Sequence, residues 1–403
     1  MEVTHAAQLD ASPALLALTP LFVAPLVAVC LLLPSPAGPL AALATLSLAL
    51  LPRLLWRSSQ PAEGLAFTLA NVLYWNLMYP AAFGSLPLLA AGSLLRPRLF
   101  LPPSLLYAAY AKLLSRPDLS HGAGWRFFSQ HDWGIVALRR YLRLRLHVPA
   151  ALRSRPPQRA VVIAIHPHGV ASDYRLAMDG LLYAALPGRE VLTLGASVLF
   201  SLPLVRELVL WTRCIDASKR VAARALAAGR SLQVIPGGEA EQMRTRTGVE
   251  EVYLARRAGF VKLAMQHGAA LVPCYAFGAT DLYDVSPAQH RRNAEGVLWS
   301  LSKRFGVALP LYRGAFGFVP KRRPVDLVFG EPFEPACKVA GNPTDEEVVA
   351  AHASYMAQLR TLFDTHKAAL GHTIAFTVRS GGYARHCRRP PRSRAHFKTL
   401  NCR

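Results

Sequence analysis

Acidic residues are scarce in this 403-residue chain: 24 Asp and Glu stand against 46 Lys and Arg, a formal net charge of +22. Charge of either sign is thin as well, at 17% of residues, while 52% are hydrophobic. Basicity joined to so apolar a composition argues against a nucleic-acid-binding protein and suits a membrane surface. Cysteine is equally sparse. The six (Cys30, Cys214, Cys274, Cys337, Cys387, Cys402) form no CxxC pair and no zinc spacing, which excludes a disulfide framework and a structural metal. The soluble part is therefore expected to face a reducing compartment.

The longest stretch without a charged side chain runs from Ala11 to Pro52, 42 residues. As one helix it would reach about 63 Å at ~1.5 Å per residue, twice the ~30 Å hydrocarbon core of a bilayer. Pro34, Pro36, Gly38 and Pro39 mark a break, so the run reads as two spans joined by a tight turn. A cleaved signal peptide fits poorly, because the residues before the run include Glu2 and Asp10 and neither Lys nor Arg. A second uncharged run, residues 64–95, contains Tyr74, Trp75 and Tyr79, expected at a headgroup interface. Arg96 and Arg98 separate it from a further apolar piece. Two to four crossings are expected, an even number that leaves both termini and the Lys/Arg-rich remainder in the cytosol.

Between residues 122 and 148, Leu142, Leu144 and Leu146 alternate with Arg143 and Arg145 at the period of a strand, and Trp125, Phe127, Phe128 and Trp133 are expected against anionic lipid. After Pro156 the chain reads as an α/β enzyme. The run AVVIAI (160–165) has the composition of a buried parallel strand. A helix from Asp216 to Gly229 precedes the strand SLQVIPGG, and a helix over 250–268 precedes the strand AALVPCYAFG. Thr344 and Glu347 form a capping box that opens a long helix running to Gly371. The expected fold is α/β, a mainly parallel sheet with covering helices, preceded by N-terminal transmembrane helices. Residues 1–113 form the membrane-anchoring region, 114–371 the catalytic domain, and 372–403 a basic, disordered tail; the last 25 residues hold eight Lys/Arg and no acid.

The strand 160–165 leads into His166-Pro167-His168-Gly169, with Asp173 five positions after the second histidine. Ligand sites gather at the carboxyl ends of parallel strands. Pro167 stiffens the turn and Gly169 lets backbone approach a substrate. A zinc site needs further ligands that the chain does not supply at the right spacing, so the choice lies between a structural turn and a catalytic base, the role to which imidazole is suited near neutral pH.

The blocks HPHG (166–169), PGGEAEQM (236–243), RAGFVKLAMQHGAALVPCYAFG (257–278), FGEPFEP (329–335) and YMAQLRTLFDTHK (355–367) resemble, in order and spacing, those of the type-2 diacylglycerol acyltransferases and their monoacylglycerol and wax-alcohol relatives. The resemblance covers about residues 120–371. It implies an endoplasmic-reticulum membrane enzyme, also found on lipid droplets, that transfers a fatty acyl group from acyl-coenzyme A to a lipid hydroxyl without a metal or other cofactor. It also implies a hydrophobic hairpin just before the catalytic domain, within residues 65–113. His168 and Asp173 further satisfy the His-x4-Asp spacing of the wider glycerolipid acyltransferases. Where the family has an acid after Phe-Gly, this chain has Ala279, with Asp281 two residues on.

On this reading His168, ahead of His166, removes the acceptor proton, and Asp173 or Glu241 orients the imidazole. Gly237 and Gly238 offer backbone N–H groups to an oxyanion, or form a tight turn. Arg257 and Lys262 meet coenzyme A phosphates, or lie on a solvated helix face. The partners are acyl-coenzyme A, diacylglycerol or a related lipid alcohol, and the membrane, with self-association left open. A rival of another class is a non-catalytic lipid-binding or droplet-surface protein, for which apolar runs and a basic surface suffice.

Overall fold

Along the run 161–165 successive side chains enter opposite apolar clusters: Val161, Ile163 and Ile165 join one, Val162 and Ala164 the other. A strand places neighbours on opposite faces, so this run is covered on both sides, and each large aliphatic side chain contributes about 1.5–3 kcal/mol through burial. The computed structural model describes residues 1–5, 10–18, 41–48 and 64–379 except 307 and 340, with single positions at 24, 27 and 30. The strands are β1 (Glu2–His5), β2 (Arg145–Val148), β3 (Val161–His166), β4 (Val191–Gly195), β5 (Cys214–Asp216), β6 (Ser231–Val234), β7 (Glu251–Val252), β8 (Ala270–Phe277), β9 (Asp326–Phe329) and β10 (Thr377–Val378).

The main sheet has the order β1-β2-β9-β8-β3-β6-β4-β5. All its pairings are parallel except β1 with β2 and β8 with β9. The expected mixed α/β architecture with a largely parallel sheet is therefore present. β3 and β6 are neighbours, so the turns leaving their carboxyl ends lie side by side. β7 and β10 pair separately.

The hydrophobic region contributes helices α1 (Leu65–Phe83), α2 (Ser85–Leu95) and α3 (Pro97–Ala109). No single helix among the described residues is long and apolar enough to cross a membrane; α1 and α2 pass that test only together, bent by 61° at Gly84. α2 and α3 pack closely at Gly92, where a Cβ would meet the Phe100 ring at 2.5 Å. Tyr74 and Trp75, expected at a headgroup interface, are instead buried against the catalytic domain, Tyr74 edge-on to Trp133 at 5.0 Å. The first uncharged run and its proline-rich turn lie largely outside the described residues.

The covering helices are α4 (Arg126–His131), α5 (Trp133–Tyr141), α6 (Asp173–Ala185), α7 (Val205–Trp211), α8 (Lys219–Ala227), α9 (Gly238–Gln242), α10 (Gly259–Gln266), α11 (Pro287–Glu295), α12 (Val297–Phe305) and α13 (Asp345–His366). α5 and α6 cover one face of the sheet; α8, α10 and α13 cover the other. Thr344 and Glu347 make the reciprocal capping box at the start of α13. Of the four aromatics expected against lipid, Phe128 and Trp133 are core residues, and only Trp125 and Phe127 reach the surface.

Two boundaries differ from the sequence expectation. The helix expected over 250–268 begins only at Gly259, because Glu251 and Val252 pair with β10. Residues 372–379, assigned to the tail, fold onto the domain: Phe376 is buried against Phe363 and Tyr275, and Arg379 pairs with Glu251 at 2.5 Å. The rest of the tail, 380–403, lies outside the described residues.

Candidate active site

The turn after β3 is fixed from three sides. Gly169 has φ 66°, and a Cβ there would sit 3.2 Å from the Ala279 carbonyl, so glycine meets both a left-handed backbone and a close approach to the end of β8. Tyr174 donates its hydroxyl to Pro167 O at 2.7 Å, and Gln242 donates Nε2–H to Val170 O at 2.6 Å.

The two histidines are placed differently. His166 is 0% exposed. The Tyr355 hydroxyl donates to Ala164 O at 3.1 Å and so accepts from His166 Nε2, also at 3.1 Å, tying the strand end to α13. Burial pushes the His166 pKa down to about 3, so the ring is neutral. His166, expected among the catalytic groups, is thus a fully buried ring that ties the end of β3 to α13. His168 is half-buried. Its Nδ1 lies 3.1 Å from Gly169 O, a contact that requires the proton on Nδ1 and leaves Nε2 as the basic atom. Nε2 has no hydrogen-bond partner among the described residues. Burial lowers the His168 pKa and outweighs the opposing bond to Gly169, so the ring is neutral near pH 7.

Neither expected acid touches the His168 imidazole. Asp173 opens α6 with its carboxylate turned toward α1: Oδ1 accepts the Tyr79 hydroxyl and Oδ2 the Tyr283 hydroxyl at 2.7 Å. Burial raises its pKa, opposed by the two tyrosines. The His-x4-Asp spacing therefore brings no dyad together here, because the first turn of α6 aims the acid away from the loop. Glu241 comes nearer. Its Oε1 accepts the backbone N–H of His168 and its Oε2 that of Tyr253 at 2.8 Å, so it braces the turn through the main chain. Burial pushes the Glu241 carboxyl up to about 7, against those two donors and the neighbouring charge of Arg257. The imidazole is oriented by the backbone carbonyl of Gly169.

The glycines before Glu241 have definable tasks. A Cβ on Gly237 would lie 2.3 Å from the Glu241 carboxylate, so this position must be bare for the acid to fold over it. The Gly238 N–H is committed to Ile235 O at 3.1 Å, the tight-turn reading rather than the oxyanion one. Arg257 acts electrostatically on Glu241, whereas Lys262 pairs with Asp345 at 2.8 Å and joins α10 to α13 at the surface. Among the described residues no group of three or more His, Cys, Asp and Glu is arranged to hold a metal.

Several groups escape a reading of the sequence. Tyr79, Tyr283 and Tyr355 by their hydroxyls, and Tyr253 by its backbone N–H, hold the site, and no spacing announces these roles. Glu250 is buried, accepts Tyr275 Oη–H at 2.7 Å and Thr280 Oγ1–H at 3.2 Å, and burial pushes it up to about 7. Gln242, Tyr275 and Tyr355 do lie within the family-like blocks, but nothing in those blocks sets them apart as partners of the turn.

Comparison with known proteins decides the family: the model of the diacylglycerol acyltransferase family matches residues 107–378. The chain belongs to that family. Diacylglycerol O-acyltransferase 2 of Dictyostelium discoideum is 31% identical over 265 residues, 62% of this chain and 78% of that protein. Acyl-CoA wax alcohol acyltransferase 2 of Homo sapiens is 35% identical over 234 residues, 53% of this chain and 68% of the relative. The 2-acylglycerol O-acyltransferase 1 of Bos taurus is 31% identical over 228 residues, 53% and 68% respectively. The family match takes in both turns of the site and ends at the second residue of β10.

Proposed function

We propose that this protein transfers a fatty acyl group from acyl-coenzyme A to the free hydroxyl of diacylglycerol, making triacylglycerol, with His168 as general base. One observation carries the assignment of the base: at the carboxyl end of β3 the neutral His168 ring has its Nδ1–H tied to Gly169 and its Nε2 open. The acceptor hydroxyl gives its proton to Nε2 as its oxygen attacks the thioester carbonyl. The tetrahedral intermediate then collapses, the C–S bond breaks, and the departing thiolate takes the proton from the imidazolium. The base is regenerated without a covalent enzyme intermediate. Glu241 is a positioning residue that holds the His168 main chain, and Arg257 is the better placed of the two cations for a coenzyme A phosphate.

The same reading sets α1–α3 in the endoplasmic-reticulum bilayer as a hydrophobic hairpin, with the catalytic domain cytosolic. It is supported by exposed leucines such as Leu94 at 84% and Leu106 at 73%, which hydrocarbon would cover favourably. The pairing of β1 with β2 holds the N-terminus on the side of the catalytic domain, as an even number of crossings requires. Acylation of a long-chain alcohol or a monoacylglycerol is the second reading, favoured by the names of the wax-alcohol and 2-acylglycerol relatives. Labelled acyl-coenzyme A is presented to the purified protein with diacylglycerol, monoacylglycerol, fatty alcohol or lysophosphatidate in turn, and diacylglycerol should give labelled triacylglycerol. Product from the alcohol or monoacylglycerol alone would select the second reading, and no product with any acceptor would favour a non-catalytic lipid-surface protein.

A further inference from the structure

Between α12 and β9 the chain folds back on itself at residues 313–319, held by Ala315 N–H to Val319 O at 2.8 Å and Gly314 N–H to Gly317 O at 3.0 Å. The tip turns two phenylalanines outward, Phe316 at 80% exposure and Phe318 at 51%. Its position is fixed by α1. Asn76 donates from Nδ2 to Phe316 O at 2.8 Å and accepts the Phe318 N–H on Oδ1 at 3.0 Å, so one side-chain amide stands in for a neighbouring strand. The backbone beside it is shaped for that contact: Gly317 has φ 120°, and a Cβ there would come within 2.5 Å of Asn76 Oδ1.

In helical projection Asn76 falls within the outward stripe of α1 formed by Leu65, Leu69 and Leu73, so the tip lies along that apolar face. An amide in such a stripe is costly in hydrocarbon unless donor and acceptor are both taken, and the clamp takes both. The flanks of the tip carry Arg313, Lys321, Arg322 and Arg323. Arg322 reaches Thr68 Oγ1 on α1 at 3.0 Å, and Lys321 pairs with Asp284 at 2.6 Å. Apolar residues at the tip with cations at its base match hydrocarbon beneath anionic headgroups.

We propose that this tip is a second membrane anchor: Phe316 and Phe318 enter the bilayer beside α1, and the cations at its base meet anionic lipid. The proposal rests on the reading of α1–α3 as a membrane hairpin. It gives the catalytic domain a second point of attachment, which sets its tilt. Tyr312, on the same loop, packs edge-on to Tyr283 at 4.8 Å, and Tyr283 holds Asp173, so the anchor is joined by contacts to the first turn of α6 beside the site.

The test places photoreactive benzoylphenylalanine singly at Phe316, Phe318, Leu106 on α3 and Val349 on α13, in the full chain, reconstituted in phosphatidylcholine–phosphatidylserine vesicles with labelled phospholipid. Lipid adducts are expected at 316, 318 and 106 and not at 349. Asn76→Ala should lower the yield at 316 and 318 while leaving 106 unchanged. Adduct at 106 with none at 316 and 318 overturns the anchor and spares the hairpin. A cross-linked pair of chains at 316 also overturns it, by showing that the tip faces a second copy. No adduct at 106 removes the hairpin reading and the anchor with it.

Discussion

Replacing Glu241 with glutamine separates the orientation of the base from the base itself. In the wild type the two carboxylate oxygens each accept a backbone N–H, one from His168 and one from Tyr253. An amide keeps one acceptor and turns an NH₂ group toward the other N–H, two donors face to face in a buried place. A hydrogen bond to a charged group contributes about 1.5–3 kcal/mol, and a buried unmatched donor costs about 1–3 kcal/mol. Where that loss falls on the His168 main chain, Glu241→Gln should lower kcat/KM by about 10- to 100-fold, at ~1.4 kcal/mol per decade. A proton does the same to the wild type. Its carboxyl, pushed up to about 7, loses one acceptor as pH falls through neutrality. The ratio of wild type to Glu241→Gln in initial rates, normalised to folded protein, should therefore be largest above about pH 8 and shrink toward unity near about pH 6. A ratio near unity at the alkaline end, or one constant with pH, refutes the bracing role. Stability takes the opposite course. A carboxyl raised from 4.5 to about 7 in the fold holds its proton more tightly than the unfolded chain does, so its contribution to stability is lost as pH rises between those values. Thermal unfolding of Glu241→Gln should lack that slope.

Asp173→Asn and Tyr79→Phe should each lower stability by about 1–3 kcal/mol, seen as a lower Tm in detergent, while turnover per folded molecule stays within about 10-fold of wild type. Loss of turnover as deep as that of a His168 variant would mean that Asp173 orients the base after all. Arg257→Ala removes a charge that stabilises ionised Glu241, so the acid limb of the rate profile should move to higher pH; a limb unmoved or moved down would remove Arg257 from the site. Lys262→Ala breaks only an exposed pair worth about 0–1 kcal/mol and should leave KM for acyl-coenzyme A unchanged, whereas a raised KM would restore Lys262 as a phosphate ligand.

β3 and its turn were legible because a run apolar at every position must be covered on both faces, which places its end where a parallel sheet keeps its sites. The start of α13 was legible because a capping box is a purely local device. The partners of the histidines were not. Spacing gives sequence distance, not the direction of a carboxylate, and Asp173 turns to a tyrosine 94 residues before it while Glu241 grips main chain. The aromatics of α1 were misplaced for a related reason: nearly every position of that helix is apolar, so composition alone does not mark the face that Tyr74 and Trp75 bury. The missing start of α10 reflects a pairing of β7 with residues more than a hundred positions later, which no local pattern encodes.

The role of His168 as base is tested by turnover of His168→Ala at saturating acyl-coenzyme A, alongside its thermal stability and its binding of a non-hydrolysable acyl-coenzyme A. A half-buried ring whose Nε2 has no partner among the described residues should be removable at little structural cost, so folding and donor binding should persist. Turnover should fall by the ~10² to 10⁴-fold typical of positioned proton transfer. Wild-type turnover in that variant, with the protein folded and donor bound, would contradict the assignment of His168 as the base.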